Sequence, residues 1–413
     1  MKDQAVIIVA YACTPRGGTE HGLGWQWVEN TAKKHSKVVL VTRPGREGLP
    51  QACIEHGIEL IEVAVPEPWR QWTQKFGDVG IWIRIYIWAM AVRRVMSNLN
   101  NNGQYAYAHL ITFHSIWMPY VFDQLTCPKI WGPVSGGEYV PKSYWGLIGP
   151  EKWKEIFRNS LNKCIRKSIE RRAKKYDVIL YGNTQTQKSI ETSRCGVNRI
   201  VMPNTVEDKK NDESKRSWRK GDVLQLSFVG SCQGRRGMPL LFRALQRMGD
   251  LEWKLDIAGT GSALEYWKQQ VLELGIADRV VFHGWVGKDV VDGIYNSSHF
   301  FAFPTLRDGG GSGMLEAIER GVPVLALDWG GPADVIGESG AGKLFSVHTP
   351  ERTINELVNW FDEFFQDKVD YEAMINATKN FDFSRFQWGV KMDLLESGLE
   401  ESKLNAMKTS HSL

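Results

Sequence analysis

"HFFAFPTLRDGGGSGMLEAIERGVPVLALD" occupies residues 299–328. Its first seven residues and its last six are short apolar runs without polar alternation. Runs of that length, closed by turn residues, suit strands covered on both faces. Between them stand three consecutive glycines, a serine and the helix-like "GMLEAIERG". The stretch therefore predicts a strand over 299–305, a glycine loop, a helix from about residue 313 and a strand over 323–328. Strand, crossover helix and next strand make a parallel unit.

The same alternation extends outward from this stretch. Upstream it predicts strands at 224–230, 253–259 and 279–285, with helices at 238–248 and 262–274. The first half repeats the theme, with strands at 5–12, 37–42, 106–114, 128–134 and 177–183 and a helix at 23–35. Between the two series "EDKKNDESKRSWRKGD" is polar, charged and aperiodic, as a linker is. A chain of 413 residues exceeds one ordinary core. The expected fold is α/β, two doubly wound Rossmann-like domains facing across a cleft. The first domain is expected over residues 1–206, the linker over 207–222 and the second domain over 223–385. Residues 386–413 form a tail returning to the first domain.

Composition sets outer bounds. A net charge of +4 is too mild to imply nucleic acid. Six scattered cysteines with no C-x-x-C pair predict a reduced, cytoplasmic protein without a structural zinc site. The apolar start, residues 5–12, reads as a buried strand rather than a signal peptide. The run Ile81–Val92 is broken by Arg84 and is too short to span a bilayer.

Ligands of open α/β sheets sit beyond the carboxyl ends of the strands. Three glycine loops fall there: "TPRGGTEHGLGW" (14–25), "GSCQGRRG" (230–237) and "LRDGGGSG" (306–313). Glycine lets an anion approach backbone N–H groups at a helix start. One such loop is equally a tight turn; three in corresponding positions favour a ligand. Asp308 suits a helix N-cap or a ligand contact. Glu316, in an otherwise apolar helix face, is expected to be buried and to need a polyol partner such as ribose. Arg235 and Arg236 suit a diphosphate, or simply a surface pair.

Other motifs fail. "GESGAGKL" (337–344) lacks the Ser/Thr of a P-loop. The first loop is not G-x-G-x-x-G, and the second strand ends without an acid for a ribose, which disfavours a nicotinamide dehydrogenase. No metal-ligand cluster, H-E-x-x-H or G-x-S-x-G occurs, so no metal and no cofactor are expected.

Taken together, "FVGSCQGRRGMPLL" (228–241), "LDIAGTGSALEYWKQQVLELGIADRVVFHGWV" (255–286) and "PTLRDGGGSGMLEAIERGVPVLALDWGGPADVI" (304–336) resemble the family 4 glycosyltransferases, retaining enzymes of the GT-B fold. "YACTPRGGTEHGLGWQWV" (11–28) and "WGPVSGGEYVP" (131–141) are similar to one branch of that family. The resemblance implies transfer of a sugar from a nucleotide-sugar donor, a UDP- or GDP-sugar, without a bound metal. Asp308 stands where the first motif acid meets the donor sugar, and Gly309, Gly310, Gly311 and Ser312 would offer backbone N–H groups. Glu316 would hold the ribose. Arg236 matches a phosphate-binding lysine, with Arg235 beside it. His114 matches a histidine near the donor sugar. Gly17 and Gly18 would face the diphosphate, as would Gly230 and Ser231 on the second domain. Trp285 and Val286 lie where backbone meets the base. Three positions depart from the pattern: Asp308 is Asp rather than Glu, Ser231 replaces an Arg, and Gly-Gly-Gly-Ser replaces Gly-Phe-Gly-Leu. These keep open a degenerate domain that binds nucleotide or glycan without catalysis, and a nucleotide-sugar epimerase.

Residues 142–176 carry eleven Lys/Arg against three Glu, interleaved with Trp153, Phe157 and Ile165. Residues 69–94 mix Trp69, Trp72, Trp82 and Trp88 with Arg84, Arg93 and Arg94. Basic, Trp-rich amphipathic helices lie on anionic membranes; the alternative is a helix packed on its own sheet. The expected setting is cytoplasmic, peripheral on the inner membrane face, with a glycan or lipid-linked acceptor.

Overall fold

The computed structural model describes residues 4–15, 19–99, 105–111, 115–190, 196–201 and 216–410. The chain divides into two compact units: 1–137 with 164–205 and 384–413, and 138–163 with 206–383.

The first unit is built on β1 (Ala5–Ala10), β2 (Val38–Thr42), β3 (Ile58–Glu62), β4 (Tyr105–Ile111), β5 (Lys129–Val134), β6 (Val178–Tyr181) and β7 (Val197–Ile200). The order is β3-β2-β1-β4-β5-β6-β7, parallel throughout. The central strands are buried on both faces, which explains their unbroken apolar sequences. The sequence reading missed β3 and β7. Both are edge strands with mixed burial, so "IELIE" and "VNRI" lack the continuous apolar signature. One face packs around Trp88, Phe122 and Trp131. The other packs around Trp25, Trp27 and Val28 and takes in Met392, Leu395 and Leu399 of the C-terminal helix Trp388–Ser410.

The second unit carries β8 (Leu224–Val229), β9 (Trp253–Ala258), β10 (Val280–Gly284), β11 (Phe300–Phe303), β12 (Val324–Leu327) and β13 (Gly342–Phe345). The order is β10-β9-β8-β11-β12-β13, again parallel. Both sheets follow the doubly wound 3-2-1-4-5-6 pattern, whose strand order reverses after the first strand. In the second unit the reversal falls between β8 and β11, so the loops after these two strands meet. Phe228, Phe301 and Phe303 stack along this seam. The strand over 299–305 ends two residues early, at Phe303, and the helix starts at Ser312. The "GESGAGKL" segment contributes the start of edge strand β13, with Lys343 inside it.

Residues 142–176 are not one helix. Short 3-10 turns occupy Lys142–Leu147 and Gly149–Glu151, and the α-helix runs Lys152–Ala173. The apolar run 81–92 lies in the helix Gly77–Asn98. No helix among the described residues is long and apolar enough to cross a membrane.

Candidate donor site

The loop after β8 turns through Gly237, whose φ of 66° favours glycine and whose added Cβ would stand 2.2 Å from the Pro304 carbonyl. That contact presses the loop against the end of β11. Leu306 N donates to Arg235 O at 2.8 Å, and the Arg235 guanidinium returns a bond to Arg307 O at 2.8 Å. The two switch-point loops are thus zipped together by one backbone–backbone and one side chain–backbone bond.

Asp308 is the focus of the zipped loops. One carboxylate oxygen pairs with Arg236 and lies 3.5 Å from Arg235. The other accepts the N–H groups of Gly310, at 2.9 Å, and Gly311. Arg236 is further held over the Phe303 ring, 5.0 Å from its centroid. Burial alone raises the Asp308 carboxyl, but Arg236, Arg235 and the two amides outweigh it and hold it below the ordinary carboxylate range. Burial, with Arg236 and Arg307 nearby, pulls Arg235 down to about 9. Two guanidiniums share this one carboxylate.

This arrangement refines the N-cap reading. Asp308 caps the glycine loop, not the helix; Gly311, at φ 62° and ψ 51°, takes the N-cap position of Ser312–Glu319 without a side-chain bond. Gly331 backs the loop: its N–H donates to Asp308 O at 3.0 Å, and an added Cβ would meet Gly310 N at 2.8 Å. The first helical N–H groups, at Ser312 and Gly313, have no acceptor within the helix.

Asp308, Arg235, Arg236, Gly310 and Gly311 therefore come together, with Gly309 and Ser312 adjoining in the same loop. Gly230, at φ 148°, lies directly after β8, and Ser231 is exposed beside it. Trp285, 82% exposed, and Val286 lie after β10. Glu316 corrects an expectation. It is exposed on its helix, between buried Leu315 and Ala317, so burial creates no need for a polyol partner. The one-residue step of about 100° turns it away from the core. Its carboxyl is nevertheless raised, by partial desolvation and then by Asp292 against the opposing Arg320. Gly17, Gly18 and His114 lie outside the described residues. Among the described residues no group of three His, Cys, Asp or Glu has metal-binding geometry.

Sequence reasoning missed Arg307, Glu155 and Glu151. Arg307 pairs with Glu155, its Nη2 and Nε donating to Oε1 at 2.6 and 3.1 Å. Glu151 accepts the Gly234 N–H at 2.9 Å and a bond from Ser262. The sequence shows two acids spaced i, i+4 inside a strongly basic stretch, but not the distant groups they meet.

Against this geometry, residues 209–381 match the family model for glycosyl transferases group 1. The chain is similar to a lipopolysaccharide 1,6-galactosyltransferase of Escherichia coli (strain K12), 31% identical over 158 residues, 35% of this chain and 41% of that protein. An uncharacterized glycosyltransferase, MJ1607, of Methanocaldococcus jannaschii is 27% identical over 169 residues, 40% of this chain and 42% of that one. The chain thus aligns with about two fifths of these relatives' length. Among solved structures, a lipopolysaccharide outer core galactosyltransferase, WaaB, in its apo form has a TM-score of 0.62 at 14% identity, covering 96% of this chain and 99% of that one. Anabaena Alr3699/HepE in complex with UDP and glucose has a TM-score of 0.54 at 13% identity, covering 95% and 100%. At such identities the likeness is one of fold, and the fold is GT-B.

Proposed function

We propose that the protein is a retaining glycosyltransferase that moves a sugar from a UDP- or GDP-sugar to a hydroxyl of a glycan or lipid-linked glycan. The observation that carries this reading is the convergence of Arg235, Arg236 and the amides of Gly310 and Gly311 on the two oxygens of the Asp308 carboxylate at a topological switch point. Two guanidiniums and two N–H groups are what a departing diphosphate needs. The group 1 match of residues 209–381, and a fold neighbour solved in complex with UDP and glucose, point the same way. The transition state is oxocarbenium-like, with negative charge building on the leaving phosphate. Arg236 and Arg235 stabilise that charge, Asp308 meets the sugar, and Glu316 meets the ribose. The leaving phosphate assists attack on the same face.

The acceptor reading rests on exposed aromatics beside basic residues. Trp69 and Trp72 are 50% and 46% exposed, and Trp153 and Phe157 are 67% and 66% exposed. Such surfaces suit an anionic membrane that carries a lipid-linked acceptor.

The test is binding and slow hydrolysis across UDP-, GDP- and ADP-sugars, comparing wild type with Glu316→Ala. One donor bound and hydrolysed, with both lost in the variant, supports the transferase. No binding by any donor refutes it.

A further inference from the structure

The basic stretch 142–176 contains the acids Glu151, Glu155 and Glu170, which the charge pattern alone leaves idle. Residues 138–163 belong to the second unit, with the donor-site loops. There the segment crosses those loops. The Ile148 carbonyl lies 2.2 Å from where a Cβ on Gly234 would stand, and Gly149 meets the Tyr266 ring in the same way at 2.7 Å. Glu151 ties Gly234 of the β8 loop to Ser262 of the β9 loop. One helical turn later, Glu155 is 5% exposed and takes both Nε and Nη2 of Arg307 on one oxygen.

Arg307 immediately precedes Asp308, and its carbonyl accepts from Arg235 at 2.8 Å. The Arg307 charge also acts on Arg235, one of the two guanidiniums on the Asp308 carboxylate. Glu155 occupies Arg307. The other Glu155 oxygen is buried with no hydrogen-bond partner among the described residues. An acid retained only to cap a structural pair would normally have both oxygens satisfied. Its charge also acts on Arg235 and Arg158.

We propose that Glu155 is a positioning residue of the donor site: it holds Arg307 away from Asp308, so that Arg236 and Arg235 remain the cations on that carboxylate. The inference rests on the donor-site reading above. It gives Glu155 no contact with the reacting atoms.

The test compares wild type, Glu155→Gln, Arg307→Gln and the double variant as full chains. Four quantities are read: inorganic pyrophosphate affinity by calorimetry, kcat and KM with whichever nucleotide-sugar the panel identifies, and Tm. In Glu155→Gln, freed Arg307 adds an unpaired cation, so pyrophosphate binds more tightly while kcat falls about ten- to a hundredfold through misplaced groups. In the double variant both return to within a few-fold of wild type. A merely structural role predicts weaker pyrophosphate binding, a lower Tm and no rescue by the second change. That pattern, or a wild-type kcat in Glu155→Gln, overturns the proposal. If Glu155→Gln does not fold but the double variant does, the charge argument stands; if neither folds, it falls. A wild type that turns over no nucleotide-sugar defeats the transferase reading, and the pyrophosphate comparison still decides the role of Glu155.

Discussion

Asp308→Asn separates the two tasks this carboxylate performs. In the wild type Asp308 neutralises Arg236 and Arg235 and ties down the amides of Gly310 and Gly311. Asparagine keeps a carbonyl for the amides, removes the charge and turns an NH2 donor towards the guanidiniums. Removing one partner of a buried ion pair costs about 3–5 kcal/mol. The guanidiniums retain 20% and 12% side-chain exposure, which places the loss near the lower end. A loss of about 3 kcal/mol lowers the Tm of a unit this size by roughly 6–12 °C. The same freed cations are then open to a bound anion, which no longer has to displace a resident carboxylate. Recovering about half of the lost energy tightens UDP or pyrophosphate binding by about tenfold. Scanning fluorimetry with and without UDP, and calorimetry with pyrophosphate, read both effects. The Tm difference should shrink at saturating UDP, because binding to the folded state adds stability by mass action. Because Asp308 is depressed below 3.8, its stabilisation is complete above that value and lost as pH falls through the folded value. The wild type–variant gap should therefore be the same at pH 5 and pH 8. An unchanged Tm, or weaker anion binding in the variant, refutes Asp308 as the resident counter-ion.

Other consequences are open to direct measurement. Gly331→Ala places a Cβ within 3.0 Å of the Gly309–Gly310 backbone, so donor KM should rise at least tenfold, with a smaller loss in Tm; an unaltered KM contradicts the buttress. His109 is fully buried, its Nε2 2.8 Å from the Gly132 carbonyl, and burial lowers its pKa to about 4. Unfolded chains bind the proton first, so the first unit loses up to about 3 kcal/mol as pH falls from 6.5 towards 4. Urea titrations at pH 7 and 4.5 should show this, and His109→Gln should flatten the difference. Vesicles of anionic lipid should retain the protein at low salt and release it as salt rises, and Trp153→Ser with Phe157→Ser should weaken retention several-fold. Absence of binding at low salt refutes the membrane reading.

The legible and illegible parts of this sequence divide along physical lines. Strands buried on both faces, such as "AVIIVA" and "FFAF", announce themselves because nothing polar fits there. Edge strands β3, β7 and β13 carry polar and glycine residues on their open sides, and their pattern fades accordingly. Asp308, Arg235 and Arg236 were readable because glycines mark where backbone must bend or approach closely. Glu316 was read as buried from its apolar neighbours, but a helix turns about 100° per residue, so Leu315 and Ala317 can both be buried while Glu316 is not. Glu155 was unreadable for a different reason. Its partner Arg307 lies 152 residues away, and no local pattern encodes an ion pair of that separation. Charge counting across 142–176 averaged it into a basic surface. An acid in a basic helix has nearby cations in plenty, yet this one is buried against a distant arginine next to Asp308 in sequence. Burying a carboxylate there costs desolvation that an exposed local pair would avoid. That cost makes sense where a donor loop must keep its three arginines apart.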